Sequence, residues 1–144
     1  MKPLHLDVRG GFVVPRVSCA PMHSPVVLVA RDDVFADVAA YVGLSDLLFR
    51  RKFVLPGDRF QSTLDRPGLV TLESEVRPLT RGYVYVTPTA VAAVAGADGR
   101  YVLQNVPAGR RRFTAWNPEK GIADREIDVP RSGSAVFDVE FPSK

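Results

Sequence analysis

The segment CAPMH at residues 19–23 places a thiol, a thioether and an imidazole within five positions, and His5 adds a second imidazole upstream. These are the donor types that hold copper, because soft sulfur and neutral nitrogen accommodate both of its oxidation states. A relocated copper-handling or electron-transfer site at Cys19, Met22 and His23 is therefore one reading. The plainer one is a cysteine buried at a strand end beside a surface methionine and histidine, since Pro21 and Pro25 mark a turn there. Nucleophilic chemistry has less support. Cys19 or Ser18 with His23 lacks a patterned acid partner, and no G-x-S-x-G motif is present. The acid pairs Asp32 with Asp33, and Glu73 with Glu75, fit solvated strand and turn positions, and no EF-hand loop accompanies them. No enzyme is expected.

The elements that must position these residues read as short strands. Valine is abundant, Pro and Gly recur at short intervals, and apolar residues rarely repeat at helical spacing. Strands are expected at 4–8, 12–19, 26–31, 34–41, 48–55, 69–75, 83–87, 90–94, 101–104, 111–116, 122–129 and 135–141. Two turns predict hairpins: ADGR at 97–100, whose Asp-Gly tolerates positive φ, and VPAGR at 106–110. Alternation sends Phe113 and Ala115 inward against Arg112, Thr114 and Trp116, and sets Phe137, Val139 and Phe141 opposite Asp138 and Glu140. So many short strands predict an all-β fold of two packed β-sandwich lobes, with the tight TPT junction at 87–89 between them.

Composition sets outer limits. A hydrophobic fraction of 46% over 144 residues is enough for a real core. The single cysteine excludes an internal disulfide. No stretch approaches the roughly 18 apolar residues of a membrane helix, so no membrane span is expected. The formal charge of +3 comes from interspersed signs, apart from Arg50-Arg51-Lys52 and Arg110-Arg111-Arg112. Strand alternation puts Arg110, Arg112 and Trp116 on one face, which leaves a glycan or other polyanion as a possible ligand; nucleic acid is not expected.

Residues 95–121, AGADGRYVLQNVPAGRRRFTAWNPEKG, resemble the carboxypeptidase regulatory-like, or transthyretin-like, domain, in which a D-x-x-G hairpin precedes V-P-x-G and a strand ending in Trp. The preceding segment resembles a cupredoxin of the kind fused to that module in bacterial exported proteins. ARDDVFADVAAY at 30–41 stands where the family has N-x-D-x-V-x-H-N-V, and SEVRPLTRGYVYV at 74–86 stands where it has C-[DN]-[IV]-H-P-x-M followed by R-G-Y-V-x-V. The resemblance places the first histidine on Ala36, the cysteine on Ser74, the second histidine on Arg77 and the methionine on Thr80. All four metal ligands are replaced.

The resemblance implies a cupredoxin-like Greek key without copper ligands over 1–87, then a small transthyretin-like (prealbumin-like) sandwich over 88–144. No cofactor is expected. The implied role is a non-enzymatic module for protein binding or scaffolding outside the cytoplasm, periplasmic or secreted, its export signal lying outside this sequence; a native start at Met1 would make it cytoplasmic. Another protein, or self-association through sheet edges, is the expected partner. Arginine and aromatic enrichment at interfaces points to Arg77, Arg81, Tyr83 and Tyr85 as partner-binding residues. Ser74 should face the core while Glu73 and Glu75 face out, and Arg77 is expected to pair with Glu75 or Asp37, tying two loops in place of the metal.

Overall fold

The computed structural model describes residues 2–31, 36–43, 46–75, 80–89 and 91–141, with Ala36 described by its backbone alone. The chain is all-β, with eleven strands and no helix among the described residues. It divides into two compact units, Met1–Val102 and Leu103–Lys144.

In the first unit two sheets face each other. One has the order β2-β1-β4-β7, built from β1 (Leu4–Arg9), β2 (Phe12–Val14), β4 (Pro25–Ala30) and β7 (Arg59–Thr63). The other has the order β3-β9-β8-β5-β6, built from β3 (Val17–Pro21), β5 (Ala36–Val42), β6 (Asp46–Phe53), β8 (Gly68–Glu73) and β9 (Arg81–Thr87). Period-two alternation supplies the core: Leu6, Val8, Val26 and Leu28 from the first sheet, and Val38, Ala40, Phe53, Val70, Leu72, Val84 and Val86 from the second, form one buried cluster. Parallel pairing of β1 with β4 and of β3 with β9 makes both sheets mixed.

The strand expected over 12–19 is two strands. Pro15 has no N–H to give a ladder, and around it the chain leaves the first sheet at Val14 and enters the second at Val17. Gly82 permits a second close approach: a Cβ there would meet Val13 Cγ1 at 2.8 Å, so the two sheets touch through a residue without a side chain. Strand β7 was not expected, because Arg59–Thr63 is polar apart from Phe60, whose ring packs 4.9 Å from that of Phe49.

The second unit contains β10 (Gly109–Asn117) and β11 (Gly121–Val129), an antiparallel pair in unbroken register. Its hairpin is not at VPAGR. The chain reverses at 118–120, where Asn117 Oδ1 accepts the N–H groups of Glu119 (2.8 Å) and Lys120 (3.0 Å) and Gly121 takes a φ of 88°. The Asp-Gly turn does form, with Gly99 at φ 82° and Gly96 N donating to Arg100 O at 2.9 Å, but no strand flanks it. Likewise 91–94, 101–104 and 135–141 are not strands, although Phe137, Val139 and Phe141 are half-buried and Asp138 and Glu140 exposed, as alternation predicts. An alternating pattern does not by itself make a strand, and none is formed over these segments.

Candidate functional site

The two segments to which the resemblance assigns metal ligands meet at one end of the first unit. Ser74 follows the last residue of β8, and β8 pairs with β5 through Glu73 opposite Ala39. That register brings Ser74 alongside Asp37. Ser74 Oγ donates to Asp37 Oδ1 at 2.5 Å, and the backbone N–H of Glu75 donates to Oδ2 at 3.0 Å. Asp37 is only 5% exposed, so both carboxylate oxygens are satisfied where water has little access. Thr80, 3% exposed, donates its hydroxyl to the backbone carbonyl of Gly11 in the β1–β2 turn. The Glu75 carboxylate pairs with Arg50 at 2.5 Å, and Arg50 also donates to the Tyr41 hydroxyl at 3.1 Å. Ser74 is therefore turned in and Glu75 out, as alternation requires. Arg77 lies outside the described residues, and so does its expected pairing; the link between the loops that the structure does show is a carboxylate with a hydroxyl and an amide.

The CAPMH segment does not gather its donors. Cys19 lies on β3 between the buried Ser18 and Ala20, so its half-buried thiol faces away from the core. Burial pushes that thiol above its ordinary pKa, which disfavours the thiolate a metal would need. Met22 instead packs against the core cluster. His23 is exposed at a turn with φ 76°, its N–H donating to Leu64 O at 2.6 Å. His5 is exposed on β1, beside Val27. Among the described residues no group of three or more His, Cys, Asp or Glu side chains is placed to share a metal.

Arg81, Tyr83 and Tyr85 alternate with the buried Gly82, Val84 and Val86, which places them together on the outer face of the five-stranded sheet. Val17 and Cys19 flank the two tyrosines on β3, and Thr71 and Leu69 flank them on β8. Arg81 reaches Glu73 at 3.6 Å, and the Arg16 guanidinium lies 5.6 Å from the Tyr83 ring centroid. Arg16 was not singled out from sequence, because nothing local ties it to β9. In the second unit, Arg110, Arg112 and Trp116 do share a face, but β11 sets acids across from them. Arg110 pairs with Glu126 at 2.7 Å and Asp128 at 3.9 Å, and Arg112 with Asp124 at 3.0 Å. The Thr114 hydroxyl, then Arg112, hold the Asp124 carboxyl below the usual carboxylate range. Two guanidiniums against three carboxylates do not make a basic surface.

No family model matches the chain, and a search of curated proteins gives no match. Solved structures do match, over rather more than half of the chain. A reduced mutant of amicyanin is similar with a TM-score of 0.52 and 16% identity over 58% of this chain and 81% of its own. A purple cupredoxin from Nitrosopumilus maritimus gives 0.51 and 19%, over 58% of this chain and 99% of its own. A copper-containing nitrite reductase from Thermus scotoductus SA-01 gives 0.50 and 21%, over 59% of this chain but only 22% of its own. The fold is cupredoxin-like.

The residues at the positions that the resemblance assigns to metal ligands do not fit a type 1 copper centre. Such a centre takes a thiolate, two imidazoles and a weak axial thioether. Alanine at 36 carries no donor atom. The hydroxyls of Ser74 and Thr80 are hard oxygens already committed to Asp37 and to the Gly11 carbonyl. A copper ion would have to break both bonds and would gain no sulfur or imidazole from these positions.

Proposed function

We propose that this chain is a metal-free, non-enzymatic β-sandwich module that binds another protein or serves as a structural component outside the cytoplasm. Its cupredoxin-like lobe is joined to a lobe of the carboxypeptidase regulatory-like kind. The observation that carries this reading is the Asp37–Ser74–Glu75 link, with Thr80 on Gly11: the loops that copper would join are held by hydrogen bonds made with the residues that replace its ligands. A scaffold so closed has kept its shape and given up the chemistry, and function must then be sought on the surface. The outer sheet face bearing Arg81, Tyr83 and Tyr85 is the proposed partner surface.

The test is reconstitution with copper under reducing and then oxidising conditions, followed by elemental analysis and visible absorption. A colourless protein with no stoichiometric copper is expected. One equivalent of copper with a thiolate charge-transfer band would overturn the reading, and its loss in Cys19→Ser would move the site to CAPMH.

A further inference from the structure

The β6–β7 connection is built to present apolar side chains to solvent. Val54 and Leu55 are 64% and 65% exposed, and the next two residues, Pro56 and Gly57, are exposed as well. Exposure of four successive residues marks a convex apex. It is nevertheless an ordered one. Asp58 Oδ2 accepts the N–H groups of both Val54 and Leu55 at 3.1 Å, which holds its carboxyl below the ordinary carboxylate range. Gly57 N donates to Ala30 O at 2.7 Å, Ala30 N donates to Asp58 O at 2.9 Å, and Phe53 at the base is fully buried. The turn is thus fastened to β4 through its backbone while its aliphatic side chains remain outside.

Cations stand on both legs below this apex. Arg51 and Lys52 come just before it on β6, and Arg59 opens β7 just after it; all three are exposed. None of the three has a salt bridge to a carboxylate of the described residues; Arg51 lies over the Phe60 ring at 5.6 Å and its charge also favours the ionised Asp58 carboxyl. At about 3.3 Å per residue along a strand, Lys52 and Arg51 sit roughly 7 to 10 Å from Val54.

We propose that the β6–β7 turn is a membrane-contact tip that inserts Val54 and Leu55 at the interface of an anionic lipid surface, with Arg51, Lys52 and Arg59 meeting the headgroups. Shape favours lipid over a protein partner. Two adjacent aliphatic side chains on a convex turn offer neither a groove nor the area of a stable protein interface, whereas a bilayer interface accepts a small apolar projection collared by basic residues. The long basic side chains can lie along the apolar boundary and keep their charges at headgroup level.

Co-sedimentation of the full chain with vesicles tests this. Binding is expected to vesicles of phosphatidylcholine containing phosphatidylglycerol and not to phosphatidylcholine alone, and added salt should weaken it by screening. The double variant Val54→Asp/Leu55→Asp should lower the partition coefficient by at least about tenfold with an unchanged melting curve, and Lys52→Glu should also lower it. Should the double variant fail to fold, Val54→Ser/Leu55→Ser gives the same comparison without new charges. The proposal is overturned by equal binding to both vesicle types, by tip variants that bind as the parent does, or by a protein that ignores vesicles and binds soluble polyglutamate.

Discussion

Asp37 concentrates more of the site's order than any of the residues around it. Its two oxygens hold Ser74 and the amide of Glu75, and through Glu75 the chain continues to Arg50 and Tyr41. A hydrogen bond to a charged group contributes about 1.5–3 kcal/mol, and a buried donor left without an acceptor costs a similar amount. Asp37→Ala should therefore destabilise the protein by about 2–4 kcal/mol in urea unfolding, discounting for the partial exposure of Glu75. Ser74→Ala removes one of the two bonds and should cost about 1–2 kcal/mol. The exposed Glu75–Arg50 pair should matter little, and Arg50→Ala is expected to leave the unfolding midpoint nearly unchanged. Equal effects from all three would show that Asp37 is not the tie between the loops. From sequence, the inward position of Ser74 followed from alternation. Its partner did not, because residues 37 and 74 come together only through the β5–β8 register.

Strand β9 runs close to β2 at Gly82, where there is no room for a side chain. An alanine Cβ there would lie 2.8 Å from Val13 Cγ1 and 2.9 Å from Val13 Cβ, closer than real side chains approach. Overpacking of this kind costs about 1–3 kcal/mol. Gly82→Ala should lower the melting temperature accordingly, and the added change Val13→Ala should recover part of the loss; recovery of none would mean that the strain lies elsewhere. Strands with strong alternation, such as Gly68–Glu73 and Arg81–Thr87, were readable from their residues. Arg59–Thr63 was not, because four of its five residues are polar and it is a strand by virtue of pairing with β4. Residues 135–141 err in the other direction: the alternation is there, but an alternating segment becomes a strand only when a neighbour supplies hydrogen bonds.

The two units differ in how much core each contains. Among the described residues, nineteen of the twenty buried hydrophobic ones lie in Met1–Val102, and in Leu103–Lys144 Ile127 alone, at 9% exposure, is buried. Burial of apolar surface is the main term opposing chain entropy, and a segment of about 40 residues without disulfide or metal rarely meets that requirement alone. A chain ending at Val102 should therefore melt in one cooperative transition. The isolated segment 103–144 should show no cooperative transition by calorimetry or circular dichroism. A sharp transition from the isolated second segment would mean that it holds a core of its own.

The all-β class, the inward and outward faces of most strands, the lack of Cys, His and Met at 74–80, and the alternation of Arg81, Tyr83 and Tyr85 are legible in the residues alone. Each of these depends on residue type or on a period of two, both local properties of the chain. Tertiary structure decided which residues meet across 37 positions at Asp37 and Ser74, that acids on β11 neutralise Arg110 and Arg112, that Met22 turns to the core while Cys19 turns away, and that Val54 and Leu55 stand outside it. These depend on register and on which sheet each strand joins, and no local pattern encodes either, because ladder hydrogen bonds are made by backbone groups common to every residue.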